Sequence, residues 1–353
     1  MVRAQTKEKV PDETPQKEPI DKGWDDEKVI PKSLSIDTQF LFSRMTEETL
    51  KAIGAKKGQI VLDVGCGRAL DLAAQKEKGA ILVGCDGSRV MVMRAKGVVQ
   101  SHGLPANIVL CSAENLPFRR ESIDIVYCKG AIDHFYNPRR ALEEMVRVVR
   151  EGGKLVVSVA NFESLSCKLA RTWNRLHRIL TGRELPGPHF WEIPEDHSFK
   201  FDRAFLLGCL PEGLRVVRQR GVSLFWGMKR WGWLMGRLPP AISKALMGLA
   251  DRIARPFPAL ADVIVLTARK QKVVAQHHRL GERGMKSRES SKIQGLAICL
   301  GSAVAAILFL VGIAAKSYWA LAIPVGIGLF WLLGLVFWIG WTLLTLRTKP
   351  PEG

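Results

Sequence analysis

Between residues 59 and 161 the chain alternates short apolar runs with stretches of helical periodicity. The apolar runs are QIVLDV, ILVGCD, NIVLCS, IDIVYCK and GGKLVVSVA, each the length of a buried strand. Residues 69–78, 88–100 and 138–150 lie between them and predict helices. Strands alternating with helices of roughly a dozen residues predict βαβ units and a parallel sheet covered on both faces. The third helix is marked at both ends. Asn137 is placed to cap it and Pro138 stands in its first turn. Leu142, Met145, Val146 and Val149 give its buried stripe, and Gly152–Gly153 ends it.

Outside this core the pattern changes. Upstream, Phe40, Leu41, Met45, Thr49, Leu50 and Ile53 fall at helical spacing and predict an amphipathic helix. Residues 1–22 are polar, with Pro11, Pro15 and Pro19 among mixed charges, and predict a disordered tail with no secretory signal. Downstream, residues 165–180 predict an amphipathic helix with Lys168, Arg171, Arg175 and Arg178 on its polar side. A loop rich in Gly, Pro and aromatics occupies 182–194, and residues 214–220 and 263–268 predict two more strands. Seven strands result, and residues 23–270 are expected to form one α/β domain of Rossmann-like type with helices on both faces. Its core is 59–161, and 162–270 supply a lid and an interfacial part.

The end of the chain is of another kind. Residues 293–315 contain no charge, and neither do residues 317–346. About 20 apolar residues in a helix span a bilayer core, so a two-helix transmembrane hairpin is expected over 293–346. It follows a basic linker at 271–292 and precedes a short tail at 347–353. Arg283, Lys286, Arg288 and Lys292 flank one open end, Arg347 and Lys349 the other, and the tip carries only Lys316. The positive-inside rule then puts both ends and the preceding domain in the cytoplasm, with Trp338 and Trp341 near the inner interface and Trp319 near the outer one. The stretch VSLFWGMKRWGWLMGRLPP mixes tryptophan with cations, the composition of a segment lying at headgroup depth.

Charge and cysteine usage narrow the chemistry. The formal net charge is +18, which suits anionic partners. Seven cysteines form no C-x-x-C pair and sit in or beside apolar runs, so reduced buried thiols are expected, with no disulfide framework and no metal site. No C₂H₂, K-homology or RNA-recognition signature occurs, and the excess charge has a sufficient partner in a membrane surface, so no nucleic acid is expected.

Candidate chemistry gathers at the strand ends. VLDVGCG closes the first strand with Asp63 and a turn through Gly65, Cys66 and Gly67, the pattern of a dinucleotide-type crevice. Ala69 stands where a third glycine would complete it. GCDGS closes the second strand. Its Asp86, 21 residues beyond Gly65, is placed to accept from a ribose diol. These two motifs alone fit a nicotinamide-dependent dehydrogenase equally well.

Taken in order, VLDVGCG, GCDGS, SAENLPF, SIDIVYCKG and ALEEMVRVVREGGKLVVSV resemble class I S-adenosylmethionine-dependent methyltransferases. Within these the chain looks closest to the small-molecule branch that includes ubiquinone- and menaquinone-biosynthesis methyltransferases. The resemblance covers about residues 40–161, with a weaker echo in HSFKFDRAFLLGCLPEGLRVV. It implies S-adenosylmethionine as cofactor. Asp63 and the backbone of Gly65, Cys66 and Gly67 would lie against its methionine end, and Asp86 would hold the ribose, with Gly87 and Ser88 beside the adenosine. Ser112, Ala113 and Glu114 would line the adenine edge, Ser112 standing where many relatives have Asp. Cys128 and Lys129 would end the fourth strand beneath the sulfonium. Asp133 and His134 are base candidates, His134 matching a histidine often found there in the family. His197, in the aromatic loop, is a further base candidate. The hairpin points to a lipid or lipid-linked acceptor, such as a quinone, a polyprenyl-linked sugar or a phospholipid headgroup. A tethered enzyme acting on a soluble metabolite or protein, or a non-catalytic interaction subunit, are the alternatives.

Overall fold

The computed structural model describes residues 24–29, 33–187, 189–194, 197–271, 329 and 331–338. Two compact units result, Met1–Val273 and Val274–Gly353. Seven strands make one sheet: β1 (Ile60–Val64), β2 (Ile81–Asp86), β3 (Ala106–Leu110), β4 (Ile123–Lys129), β5 (Val149–Ala160), β6 (Leu214–Val222) and β7 (Val263–Lys270), in the order β3-β2-β1-β4-β5-β7-β6. The first five run parallel, and β7 enters antiparallel between β5 and β6. The sheet is therefore mixed and not wholly parallel: β6 keeps the direction of the first five strands, and β7 alone is reversed between β5 and β6.

Alternate residues of each strand feed opposite faces. Leu62, Val126, Leu155, Val157 and Leu266 join one core with Ala141, Leu142 and Met145 of helix α5 (Pro138–Val148). Val61, Ile125, Tyr127, Val156 and Val265 join the other with Leu41, Met45 and Ile53 of helix α2 (Ile36–Ile53). Both faces are covered, as the uninterrupted apolar runs require. Helix α1 is the short turn Asp26–Val29, and α4 (Arg89–Ser101) packs on β2 and β3. Beyond the core stand α6 (Leu165–Thr181), α7 (Arg203–Gly208), α8 (Lys229–Arg237) and α9 (Pro240–Ala254).

Two helix boundaries differ from the periodicity. The helix expected over 69–78 is only α3 (Leu70–Ala73), followed by a 3-10 turn at Lys76–Lys78. Lys76, Glu77 and Lys78 have no apolar side chain with which to continue a buried stripe, and Gly79 turns the chain in a left-handed conformation. The helix expected to reach Arg150 stops at Val148, because Val149 is drawn into the sheet opposite Ile123 and fully buried there. The branched residue that completed the helical stripe opens β5 instead.

All six cysteines among the described residues are buried and free. Among these residues no helix is long and apolar enough to cross a membrane. The tail at 1–22 lies outside them. So do the linker after residue 271, the final tail and the expected hairpin, except Leu329 and the helical stretch 331–338.

Candidate active site

The turn after β1 is built by close approach. Gly65 has φ 75° and Gly67 φ 52°, and a Cβ on Gly65 would meet the Ala131 Cβ at 2.5 Å. Only glycine satisfies both demands at 65. The backbone N–H groups of Gly65 and Cys66 each donate to the Cys85 carbonyl at 2.9 Å, which joins the turn to the end of β2. Ala69, in the third-glycine position, is fully buried and nonetheless adopts the left-handed conformation a glycine would take, φ 60°.

Asp86 ends β2 inside this framework. One carboxylate oxygen accepts from the Gly67 N–H at 2.9 Å and the other from the Ser88 N–H at 2.8 Å. Ser88 caps α4 through the Met91 N–H, and its hydroxyl donates to the Trp24 carbonyl at 2.6 Å. Trp24 thereby enters the site from the amino-terminal side. The next residues follow it in ion pairs: Asp26 with Arg68 at 2.5 Å, Asp25 with Arg94 at 2.6 Å, and Asp26 again with Arg94. Burial alone would raise the Asp26 carboxyl. The two guanidiniums overcome it and hold that group below the ordinary carboxylate value.

A cavity of about 480 Å³ lies against these groups at the carboxyl ends of β1, β2 and β4. That volume suits a small-molecule ligand. The sheet order reverses between β1 and β4, so the cavity occupies the crevice where open α/β sheets bind ligands. Of the residues singled out from the sequence, Gly65, Cys66, Gly67, Asp86, Gly87, Ser88, Ser112, Ala113, Glu114, Lys129 and His134 line it. Glu114 also has a structural duty. One carboxylate oxygen accepts the Tyr136 N–H at 2.9 Å and the Asn137 N–H at 3.3 Å, and the other accepts the Ser112 hydroxyl. The Ser112 proton is thus committed to Glu114, and the same hydroxyl oxygen accepts the Glu114 N–H at 3.2 Å.

Asp63 and Cys128 stand behind the wall. Asp63 is buried in the sheet, is not among the residues lining the cavity, and accepts the Tyr127 phenol through Oδ2 at 2.7 Å. Burial pushes its carboxyl well above the usual range, and the Asp71 carboxylate adds to the effect. Cys128 is fully enclosed in the core, and burial raises its thiol. In their place the cavity is lined by Asp71, whose carboxylate pairs with Lys129 at 2.8 Å while Lys129 also donates to the Thr46 hydroxyl at 2.7 Å. Asp71 had a sequence signal, an acid in the first turn of the helix that follows a glycine turn. Trp24 and Asp26 had none, since they lie beside a polar tail with no periodicity.

The far end, beyond β4, carries the remaining titratable groups. His134 sits on the cavity wall, with its ring centroid 4.4 Å from that of His197 and 5.5 Å from the Trp24 ring. Behind it, His197 Nδ1 lies 3.3 Å from Asp133 Oδ2. The Asp133 carbonyl accepts the N–H groups of Ser198 at 2.8 Å and Phe199 at 3.2 Å. Sixty-odd positions apart in sequence, the two segments are locked side by side. Asp133, His134 and His197 are all together, though only His134 reaches the cavity.

Residues 62–157 match the family model described as a methyltransferase domain. The chain is similar to "Probable tRNA methyltransferase 9B" of Mus musculus, 29% identical over 41% of this chain and 33% of that protein. It is similar also to the ubiquinone biosynthesis O-methyltransferase of Coxiella burnetii, 33% identical over 30% of this chain and 45% of that one. The chain thus spans from a third to under half the length of these relatives. Among solved structures, a SAM dependent methyltransferase from Aquifex aeolicus aligns with 18% identity and a TM-score of 0.42, over 70% of this chain and 99% of that one.

Proposed function

We propose that this chain, in which residues 62–157 are a methyltransferase domain of the S-adenosylmethionine-dependent class, methylates a lipid or lipid-linked acceptor at a membrane surface. The observation that carries the transfer reading is the Asp86 carboxylate. It is held by the Gly67 and Ser88 N–H groups at one end of a cavity whose other end presents His134.

The residues present fit the cofactor. Asp86 accepts from the ribose diol, and the Gly65–Gly67 backbone admits the methionine end without side-chain obstruction. Ala113, on the cavity wall after β3, faces the adenine. The indole N–H of Trp24 is buried without an acceptor among the described residues, which suits a residue that closes on a polar ligand. Bound there, the cofactor supplies a methyl group already activated by a sulfonium. The protein's task is then to align the acceptor and to manage its proton. His134, backed by His197 and Asp133, occupies the end where that proton must go.

The membrane part of the reading rests on surface pattern. Leu169, Trp173, Leu176 and Leu180 form an exposed stripe along α6, and Ile242, Leu246, Leu249 and Ile253 form another along α9. Trp233 and Leu234 of α8 are exposed as well. These three helices carry nine Lys and Arg residues and a single acid, Asp251, which is buried against Arg44 and Arg255. Apolar stripes flanked by cations suit the interface of an anionic bilayer, and the uncharged runs 293–315 and 317–346 would hold the domain beside it.

Two measurements test the proposal. Asp86→Ala should abolish S-adenosylmethionine binding by calorimetry, and an unchanged affinity would refute the cofactor site. Radiolabelled methyl transfer by the full chain should appear in the organic phase of a native lipid extract. Label found only in water-soluble products would sink the lipid acceptor while leaving the transferase reading intact.

A further inference from the structure

We propose that Asp133, His134 and His197 form a binding site for a divalent first-row transition metal ion at the acceptor end of the cavity. The inference deepens the transferase reading by assigning what activates the acceptor, but the site itself stands on its own geometry.

One carboxylate oxygen and one nitrogen from each imidazole lie within 4.8 Å of one another. Ligand atoms on a tetrahedral ion with bonds of about 2.1 Å stand about 3.4 Å apart. The separation of 3.3 Å between His197 Nδ1 and Asp133 Oδ2 already has this value, and it is long for a charge-assisted hydrogen bond. The two imidazoles meet edge to face, at 74°, and do not stack. Asp133 is only 3% exposed, and its second carboxylate oxygen, Oδ1, has no hydrogen-bond partner among the described residues. A buried carboxylate oxygen without a donor is costly, and a cation removes that cost.

The scaffold holds these ligands in place. The Asp133 carbonyl accepts from Ser198 and Phe199, next to His197 in the chain, so both ligand-bearing segments are pinned within one residue of their ligands. The Phe162 ring stands 6.0 Å from His197 at 87° and limits its rotation. Two nitrogens and one carboxylate favour zinc, iron, cobalt or nickel over magnesium or calcium, which prefer oxygen alone. Three protein ligands leave a coordination position open, and His134 and Ser198 border the cavity there. With an ion bound, His134 would act as a ligand and not as the base: an acceptor hydroxyl in the open position would have its pKa lowered and release its proton to water, giving an oxyanion nucleophile at neutral pH. The substrate class is therefore an alcohol, phenol or catechol oxygen.

The test is Co²⁺ binding to the purified full chain, read by calorimetry and by the visible absorption of the bound ion. The expected result is one tightly bound Co²⁺ per chain, displaced by Zn²⁺. Replacing the three histidines outside this cluster that most resemble adventitious ligands, exposed His102 and the neighbours His277 and His278, should leave uptake unchanged. His197→Ala and Asp133→Ala should each weaken binding by more than the roughly 10–100-fold that loss of an outer partner costs. S-adenosylmethionine binding should be retained in both and serves as the check of folding. If either variant fails that check, His197→Gln and Asp133→Asn replace them and are judged by the same loss. No stoichiometric uptake by the wild type, or uptake equal in wild type and ligand variants, overturns the metal site and leaves Asp133–His197 as an orienting pair for His134. Because no acceptor enters the measurement, this failure is separable from failure of the transferase reading.

Discussion

At the scale of single residues, Gly65 shows how two constraints multiply. Its φ of 75° is one that an L side chain occupies at a cost of about 1–2 kcal/mol, and the added methyl would meet the Ala131 Cβ at 2.5 Å. The contact lies between the turn that receives the cofactor and the loop that carries His134, so relief must come by moving one of them. Gly65→Ala is expected to lose cofactor binding, measured by calorimetry, and to lower the thermal unfolding midpoint. Adding Ala131→Gly removes the steric part alone. The double variant should regain part of the midpoint but not all of it, since the backbone cost at 65 persists. A single variant that binds cofactor with native affinity would mean that this turn does not contact it. Ala69 gives the contrasting case. Its left-handed backbone is tolerated in a small residue whose methyl is buried, so the missing third glycine leaves the turn's shape intact.

At the scale of elements, Asp262 connects the outer layer to the sheet. It precedes β7, accepts the Ser166 hydroxyl of α6 at 2.5 Å, and accepts the Trp226 N–H at 3.0 Å. Burial raises its carboxyl to about 6, against 3.8 for the unperturbed group. Because the folded value lies above the unfolded one, the fold favours the protonated form. Its contribution is complete below about pH 4 and is lost as pH rises through about 6, a difference of roughly 3 kcal/mol. Denaturant unfolding across that window should show Asp262→Asn losing less stability than the wild type as pH rises. Parallel profiles for the two proteins would refute the assignment. Elements of this kind also separate what was legible in the sequence from what was not. The βαβ core could be read because strand and helix each leave a local period, and the glycine turn and Asp86 because they follow strand ends directly. Val149 misled because a branched apolar residue fits a helical stripe and a strand equally. That Asp63 Oδ2 meets the Tyr127 phenol is shown only by the three-dimensional register. Trp24 and the Asp133–His197 pairing depend on contacts between distant segments, which no local period encodes.

At the scale of the whole molecule, the proposed membrane location can be tested through the distribution of charge and apolar surface. All seven strands, the cavity and the striped helices α6, α8 and α9 lie within residues 24–271, so the first compact unit can be tested apart from the uncharged carboxyl-terminal runs. Leu165 and Phe225 pack against the cluster that holds Ala250 and Ala254, which brings the start of α6 to the end of α9. The loop leaving α6 returns to the site through His197. Each Lys or Arg near an anionic surface contributes about 1 kcal/mol, whereas a neutral surface offers only the apolar burial. Residues 1–273 are accordingly expected to sediment with phosphatidylserine-containing vesicles and to be released by salt, with weaker binding to pure phosphatidylcholine. Replacing Arg175, Lys244 and Arg252 by Gln should cost about fivefold each on the anionic vesicles and little on the neutral ones. Replacing Trp173, Ile179 and Leu180 by Ser should weaken binding to both. If neither set alters vesicle binding, the stripes have another occupant, and the membrane reading would then depend on the carboxyl-terminal runs alone.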